Sequence, residues 1–242
     1  MKRIKALVIT LLAASLLINS AVATAHVIHS RIGRAVMGMA WGLVIFWIVI
    51  GGSLMYAYRD SIRERVLKIP LDWRLKFFLF GTLLALLEEV VTTTMTNLAP
   101  LFGVKVGEAY ITASTNYFDV VFLHSVVAFF PWIIAWALLL AFIDFSPFAV
   151  FLLFGSLGML GEVVFGGVQN FLAFGFWIFV YGLMIYLPAY SIPRERKTVS
   201  PKWWHYAVSM IVPWLFSMPW DLLVMFVLKG HPKVHFPPIK MG

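Results

Sequence analysis

The chain has 242 residues, of which 62% are hydrophobic and 12% are charged, and its formal net charge is +8. Soluble domains carry about a quarter charged residues and under about half apolar ones, so this composition excludes a soluble globular domain and a disordered chain. The basic excess is typical of the cytoplasmic loops of membrane proteins and predicts no nucleic-acid partner. The sequence contains no cysteine, which excludes disulfides, iron–sulfur clusters and cysteine nucleophiles.

The N-terminal segment combines three features of a secretory signal. Basic residues open it, an apolar stretch follows over roughly residues 6–25, and Ala23-Thr24-Ala25 ends it. This pattern predicts a cleaved signal peptide over residues 1–25. Because the stretch is also long enough to cross a bilayer, a retained first transmembrane helix is the alternative.

Residues 26–242 are predicted to form a single transmembrane helical domain. Each of its six further apolar segments is about 20 residues or longer, the length that a membrane-spanning helix requires. They lie at roughly 35–58, 77–99, 117–143, 147–167, 169–190 and 206–228. The predicted fold is therefore an all-α, polytopic bundle of six spans after removal of the signal, or of seven if the signal is retained.

Positive charge predicts the orientation of the bundle in a cell membrane. The loops at 59–76 and 191–204 are rich in Arg and Lys, as cytoplasmic loops are. Both follow spans that run in the same direction, so both fit on the cytoplasmic side. This orientation places residues 26–34, 100–116 and 229–242, and with them both mature termini, on the extracytoplasmic side.

Six of the eleven acidic residues lie inside or at the edges of the apolar spans, while no Lys or Arg lies within a mature span. These six are Glu88, Glu89, Asp119, Asp144, Glu162 and Asp221. A charge at the centre of a bilayer costs at least about 2.5–3.5 kcal/mol, so such residues usually mark a functional site. Asp144, beside a short turn, is instead expected to be wetted at the interface, and Asp119 lies at the edge of its span.

A polar layer in the outer half of the membrane is the most informative pattern. Glu89, Thr92, Thr93 and Thr96 follow i, i+3, i+4, i+7 spacing and share one helix face, and Glu88 is adjacent. Three further residues, His124, Glu162 and Asp221, lie at similar depth on other spans. The layer predicts a polar cavity that opens away from the cytoplasm. The alternative is that these residues face different directions and form separate hydrogen bonds.

Carboxylates beside a histidine can activate water, so the first functional hypothesis is a membrane-embedded hydrolase. Glu89 is then the general base or a metal ligand, Glu88 modulates it, and His124 is the second acid–base group. The same residue types ligate divalent metals such as zinc and manganese. The predicted ligand set for such a cofactor is Glu89, His124, Glu162 and Asp221. Ser125 follows His124, but adjacent positions of a helix diverge, so no partnership of these two is predicted.

The pair Glu88-Glu89, followed by His124 on the next span, resembles the glutamate intramembrane proteases, a family that includes prenyl-protein endopeptidases and bacteriocin-processing proteins. The resemblance implies water activation by a glutamate. The chain departs from the family pattern at two nearby positions: Thr92 and Thr93 stand where an arginine usually follows the glutamates, and Val120 stands where a phenylalanine precedes the histidine. The family's later histidine motif has no counterpart inside a span.

Two other functions and one other site stay open. Buried carboxylates also carry protons or cations in transporters, and unpaired acids can meet basic residues of partner subunits in a larger membrane complex. A copper or zinc site on the outer surface is a further hypothesis, since imidazole suits both metals. Its residues would be His26, His29, His231 and His235.

Five glycines of the apolar segment at 147–167 predict close helix–helix packing, because small residues let two helix backbones approach each other. They are Gly155, Gly158, Gly161, Gly166 and Gly167.

Overall fold

The computed structural model describes residues 2–228, apart from the side chains of Lys2, Met225 and Leu228. This part of the chain is helical and has no extended strands, which confirms the all-α prediction. Its α-helices are α1 (Lys2–His26), α2 (Arg31–Leu43), α3 (Gly52–Lys68), α4 (Trp73–Asn97), α5 (Tyr117–Leu123), α6 (Ser125–Phe142), α7 (Pro147–Gly166), α8 (Phe174–Tyr190) and α9 (Trp203–Leu228). A π-helical stretch, Val44–Gly51, joins α2 to α3 without a break, and two 3₁₀ segments lie at Ala99–Phe102 and Val168–Ala173.

Six helical stretches in the described part of the chain are long and apolar enough to cross a membrane. They are Arg3–His26, Arg31–Lys68, Ser125–Phe142, Pro147–Gly166, Val168–Tyr190 and Trp203–Val224. The protein is thus an integral, multi-pass membrane protein. The sequence also predicts a span in α4, which has 25 residues but is not among the six.

The exposed faces of the bundle are apolar, as contact with lipid requires. Phe165 and Phe226, for example, expose 82% and 81% of their surface. The interior holds large apolar side chains, among them Trp136, Phe154 and Ile185, each fully buried. In the middle of the bundle α4 packs against α6 and α8, and α7 packs along α8.

The closest helix pair is α7 with α8, and glycine makes that approach possible. A Cβ atom added at Gly155 would lie 2.5 Å from the carbonyl oxygen of Ile178, which is too close for any side chain. At Gly158 the added atom would overlap the ring of Tyr181. The predicted close packing of this segment is therefore confirmed for Gly155 and Gly158.

α1 packs against α8 through Leu12 and Leu16, which are both buried. The backbone of α1 runs so close to Gly175 that a Cβ atom there would meet the carbonyl oxygen of Leu12. The indole of Trp41 on α2 also donates a hydrogen bond to Thr24, with 3.1 Å between the two atoms. The uncleaved helix α1 thus packs against α8 and α2. Its cleavage after residue 25 stays a prediction.

Both basic loops lie at one end of the bundle, called the basic end below. The hydroxyl of Tyr190, the last residue of α8, donates to Asp60 of α3 over 2.6 Å. The Arg196 guanidinium, in the loop after α8, lies 5.2 Å from the centre of the Trp73 ring, where α4 begins. The same guanidinium forms an ion pair of 2.8 Å with Asp144. The loops therefore share a side, as predicted, while the cytoplasmic location of that side stays a prediction.

Residues 103–116, called the cover loop, lie at the opposite end and fold back onto the bundle. Val104, Ala109, Thr112 and Ala113 in this loop are buried, although most loops lie on the surface. Gly103 and Gly107 adopt positive φ angles of 83° and 93°, which glycine tolerates at the turns that fold the loop back. The predicted outer segment 100–116 is thus a packed element rather than a solvated connection.

An ion pair fastens the cover loop to α2. The Glu108 carboxylate accepts the Lys105 backbone N–H over 2.7 Å and lies 3.3 Å from the Arg31 guanidinium. The backbone hydrogen bond, followed by Arg31, lowers the pKa of Glu108 below its ordinary value. A lowered carboxyl pKa stabilises the folded loop at neutral pH, and that stabilisation is lost as pH falls through the folded pKa.

We therefore expect Glu108→Gln to lower the amide-exchange protection of Lys105 several-fold at neutral pH, because an uncharged amide binds Lys105 and Arg31 more weakly. Acidifying the unmodified protein below the pKa of Glu108 should have the same effect. Hydrogen exchange, corrected for the intrinsic pH dependence of exchange, measures the effect of the substitution and that of acidification. Glu195→Gln, at the basic end, is the control. Equal protection of Lys105 in the Glu108 and Glu195 variants would contradict the role of Glu108.

Candidate carboxylate and hydroxyl site

The polar stripe on α4 faces into the bundle. Glu88 and Glu89 expose only 5% and 3% of their surface, and Thr92, Thr93 and Thr96 are buried with them. The opposite face of α4 carries exposed apolar residues, namely Leu83, Leu87 and Val90. The helical spacing read from the sequence therefore gives the correct face of α4.

Hydroxyl groups surround the Glu89 carboxylate. Its Oε2 atom accepts hydrogen bonds from Thr92, one turn along α4, over 3.0 Å and from Thr112 of the cover loop over 3.2 Å. The Ser125 hydroxyl, at the start of α6, lies near the same carboxylate. Three elements, α4, the cover loop and the start of α6, thus converge on one carboxyl group.

A break between α5 and α6 brings His124 and Ser125 together. His124 has φ −142° and ψ −114°, which no α-helix allows, so α5 ends before it and α6 begins after it. As a result, the imidazole Nδ1 lies 2.6 Å from the Ser125 hydroxyl oxygen. The expectation that these neighbours diverge was wrong, because it assumed a continuous helix. His124 and Ser125 are instead hydrogen-bonded to each other, and Ser125 lies near Glu89.

A second carboxyl group, Glu162 on α7, belongs to the same cluster. It accepts a short hydrogen bond from the Tyr181 hydroxyl of α8, whose ring occupies the space that Gly158 leaves empty. Glu162 is also close enough to Glu88 and Glu89 for their charges to interact. Three of the predicted site acids, from α4 and α7, therefore lie together.

The cover loop closes this cluster toward the end of the bundle that is predicted to be extracytoplasmic. Besides the bond from Thr112 to Glu89, the Ile111 backbone N–H donates to the Thr96 hydroxyl over 3.3 Å. The Asn97 amide at the end of α4 donates to the Thr115 carbonyl over 2.8 Å. Cover-loop residues thus lie over the cluster at this end, and a cavity that opens outward there stays a prediction.

The other predicted acids lie apart from this cluster. Asp221 lies on α9 near Ser217, one turn earlier on its own helix, and the Ser217 hydroxyl donates to the Trp214 carbonyl. Asp119 accepts a hydrogen bond from Ser114 over 3.3 Å. Asp144 lies exposed at the basic end, paired with Arg196, so it has a basic partner from a loop. The site therefore holds Glu88, Glu89 and Glu162 but not Asp221.

The predicted metal centre finds no support in this arrangement. Within residues 2–228, no three His, Asp or Glu side chains are grouped so that they could hold a metal ion. The predicted ligand set of Glu89, His124, Glu162 and Asp221 fails at Asp221, and hydroxyl groups surround the Glu89 carboxylate. For the outer copper or zinc site, His26 and His29 are exposed, while His231 and His235 lie outside the described residues.

In the described part of the chain, none of the ion pairs involves Glu88, Glu89 or Glu162. The hydrogen-bond donors to the Glu89 and Glu162 carboxylates are neutral hydroxyl groups. A hydroxyl donates one proton while it accepts another, so such a shell can pass protons to and from a carboxylate. The arrangement is suited to proton transfer.

Three residues of the site are not predicted by the sequence analysis: Thr112, Ser125 and Tyr181. Thr112 belongs to a loop, which carries no periodic signal, and Ser125 depends on the helix break. Only Tyr181 has a detectable cue, because the small residue Gly158 on α7 leaves space for a ring from a neighbouring helix.

Comparisons of the chain with protein families, with curated proteins and with solved structures found no match. The residues that resemble the glutamate intramembrane proteases are Glu88, Glu89 and His124. In this structure Ser125 lies near Glu89 and is hydrogen-bonded to His124.

Proposed function

We propose that the protein is a membrane-embedded hydrolase in which Glu89 is the general base. The observation that carries the proposal is the hydrogen-bonded pair of His124 and Ser125, which is partly buried and lies near the buried Glu89 carboxylate. General acid–base catalysis needs a proton acceptor and a proton donor that are held in fixed positions. Glu89 is held within α4, and His124 is held at the junction of α5 and α6.

The proposed reaction balances without any metal. A water molecule gives one proton to the Glu89 carboxylate while its oxygen forms a bond to the carbonyl carbon of the substrate. The π electron pair of the carbonyl group moves onto the carbonyl oxygen and returns when the leaving group departs. The bond from that carbon to the leaving group then breaks, and the leaving group receives the proton from Glu89 directly or through Ser125 and His124. The products are a carboxylic acid and the protonated leaving group.

Glu88, Glu162 and Tyr181 support this proton transfer. Like charges this close repel one another, so a proton held on one carboxyl group lowers the energy of the cluster. The Tyr181 hydroxyl fixes the position of Glu162 by its hydrogen bond. In the proposal, Glu88 modulates the proton affinity of Glu89, while Glu162 completes the polar surroundings.

The cover loop controls access in this proposal. Thr112 is hydrogen-bonded to Glu89, and we propose that water and substrate bind beside this carboxylate in its place. Displacing the loop frees the hydrogen-bonding position on the carboxylate that the Thr112 hydroxyl now takes. It also opens the site to the side that we propose to be extracytoplasmic. Loops that close over a site and exclude water are common in enzymes.

Proton-coupled transport is the second candidate, favoured by the same buried carboxyl groups, which have no Lys or Arg partner among the described residues. In a transporter these groups take up and release protons as the protein changes conformation. A subunit role in a larger complex is the third; in it, a partner supplies the basic residues.

The test uses the protein reconstituted in liposomes, a panel of membrane-anchored peptides and esters, and ¹⁸O-labelled water. Hydrolysis transfers ¹⁸O into the carboxyl product, which mass spectrometry detects. We expect Ser125→Ala to lower the rate about tenfold, because the proton path from Glu89 to His124 is broken. Ser209→Ala, which removes a buried serine of α9, is the matched control and should retain the rate.

An internal pH dye in the same liposomes separates the two leading candidates. Label incorporation that depends on Ser125, with no proton flux, supports the hydrolase. Proton flux without label incorporation would contradict the hydrolase and favour transport. If neither label incorporation nor proton flux occurs, and the protein purifies together with companion subunits, the result would favour a subunit role in a larger complex.

A further inference from the structure

A cavity of about 330 Å³ lies at the basic end of the bundle, far from the carboxylate cluster along the helices. The turn between α6 and α7, the end of α8 and the loop that follows α8 form its walls. Its polar lining comes from Asp144, Ser146, Tyr190, Arg194 and Arg196. No role in the proposed hydrolysis is assigned to any of these residues.

Arg196 is a fixed part of the cavity wall. Its side chain is only 7% exposed and forms the 2.8 Å ion pair with Asp144. It also donates to the Leu140 carbonyl at the end of α6 and, over 2.9 Å, to the Pro193 carbonyl. The charges of Arg196 and Asp144 therefore compensate each other, and the wall is held rigidly.

Arg194 supplies the remaining charge. It lines the same cavity, it is exposed, and its guanidinium forms no ion pair with any residue in the described range. Counting Arg194, Arg196 and Asp144 together, the cavity carries one net positive charge. A guanidinium is planar and pairs with two phosphate oxygens at once, so phosphate is the anion that Arg194 suits best.

The remaining walls are apolar, with Phe145, Pro147, Ile192 and Pro193 among them. They lie where the spans α6, α7 and α8 end, which is the level of the lipid headgroups. A free phosphate ion gains nothing from such walls, while the glycerol and first acyl carbons of a phospholipid do. Basic pockets between transmembrane helices bind anionic headgroups in this way.

We propose that this cavity binds the phosphate group of an anionic phospholipid, with Arg194 as the residue that holds the phosphate. The apolar walls hold the glycerol backbone, and the Arg196–Asp144 pair fixes the shape of the site. The inference is independent of the proposed hydrolase function, because it involves other residues at the other end of the bundle.

Native mass spectrometry of the full chain tests this proposal. The detergent-purified protein is titrated with equal amounts of phosphatidylglycerol and phosphatidylcholine, and retained lipid is counted for each variant. We expect the unmodified protein to prefer phosphatidylglycerol and Arg194→Gln to weaken that binding about tenfold, because one charge-assisted hydrogen-bond pair is lost. Arg65→Gln removes an equal, exposed charge at the same end but outside the cavity, and should leave the binding unchanged.

A second arm adds inorganic phosphate to the complex. If phosphatidylglycerol stays bound at millimolar phosphate, the lipid is supported as the ligand. If inorganic phosphate displaces it, the site binds a soluble phosphate and the lipid proposal is overturned. Equal loss of binding in the Arg194 and Arg65 variants would overturn it too, since a diffuse surface charge would then explain the affinity. Absence of any preference for phosphatidylglycerol in the unmodified protein would overturn the site altogether.

Discussion

Replacing Glu89 with glutamine is expected to lower the rate of hydrolysis by about 10²–10⁴-fold, the usual contribution of a general base. The amide has the same size as the carboxylate, and its oxygen can still accept the Thr92 and Thr112 hydroxyl protons. It cannot take a proton from water. The substitution therefore removes the chemistry while it leaves the packing of α4 almost unchanged, and ¹⁸O incorporation in liposomes measures the loss.

Asp221→Asn is the matched control for this substitution. Asp221 is also an acid within a span, but it lies on α9 beside Ser217 and outside the carboxylate cluster. The control should therefore keep a rate close to that of the unmodified protein. A Glu89→Gln variant with more than half of the original rate would disprove the general-base role. Equal losses in both variants would point to a general effect of removing a membrane-embedded acid.

The second large effect concerns stability. Gly155→Ala is expected to lower the free energy of unfolding by about 2 kcal/mol, although alanine favours helices more than glycine does. The added Cβ atom would lie 2.5 Å from the carbonyl oxygen and 3.0 Å from the Cα atom of Ile178. Both are backbone atoms of α8, which cannot rotate away, so the whole α7–α8 pair has to separate. Unfolding by sodium dodecyl sulfate from mixed micelles, followed by tryptophan fluorescence, gives the value.

Gly161→Ala on the same helix provides the comparison. Its Cβ atom would meet only the tip of the Trp132 ring, at 3.2 Å, and that ring can shift by a few tenths of an ångström. This variant should unfold within about 0.5 kcal/mol of the unmodified protein. If the two variants unfold alike, the tight contact between Gly155 and Ile178 does not limit stability.

The position of a polar residue along its span could be predicted from the sequence. The direction in which its side chain points could not. Counting residues from the end of each span puts Glu162 and Asp221 in the same layer as Glu89. Only Glu162 reaches the cluster, because α7 packs along α8, which in turn packs against α4. Asp221 is on α9, which packs on α6 and α7. Helix neighbours follow from tertiary packing, and hydropathy contains no information about them.

Within a single helix the prediction was more complete. The i, i+3, i+4, i+7 spacing identifies the buried face of α4 because one helix face repeats at a fixed period. The same rule failed at Ser125, since the period holds only while the helix is continuous and the backbone turns at His124. Thr112 was beyond prediction for a related reason: the cover loop takes its shape from contacts with α2 and α4 rather than from its own sequence.

The unbroken helix from Arg31 to Lys68 has 38 residues. At a rise of about 1.5 Å per residue it is more than about 50 Å long, whereas the hydrocarbon layer is about 30 Å thick. The excess length predicts that several turns of α3, with Arg63, Arg65 and Lys68, extend into water as a helical stalk. In sealed vesicles, trypsin can cut this stalk from one side only, so the fragments that survive digestion reveal how the whole chain is inserted.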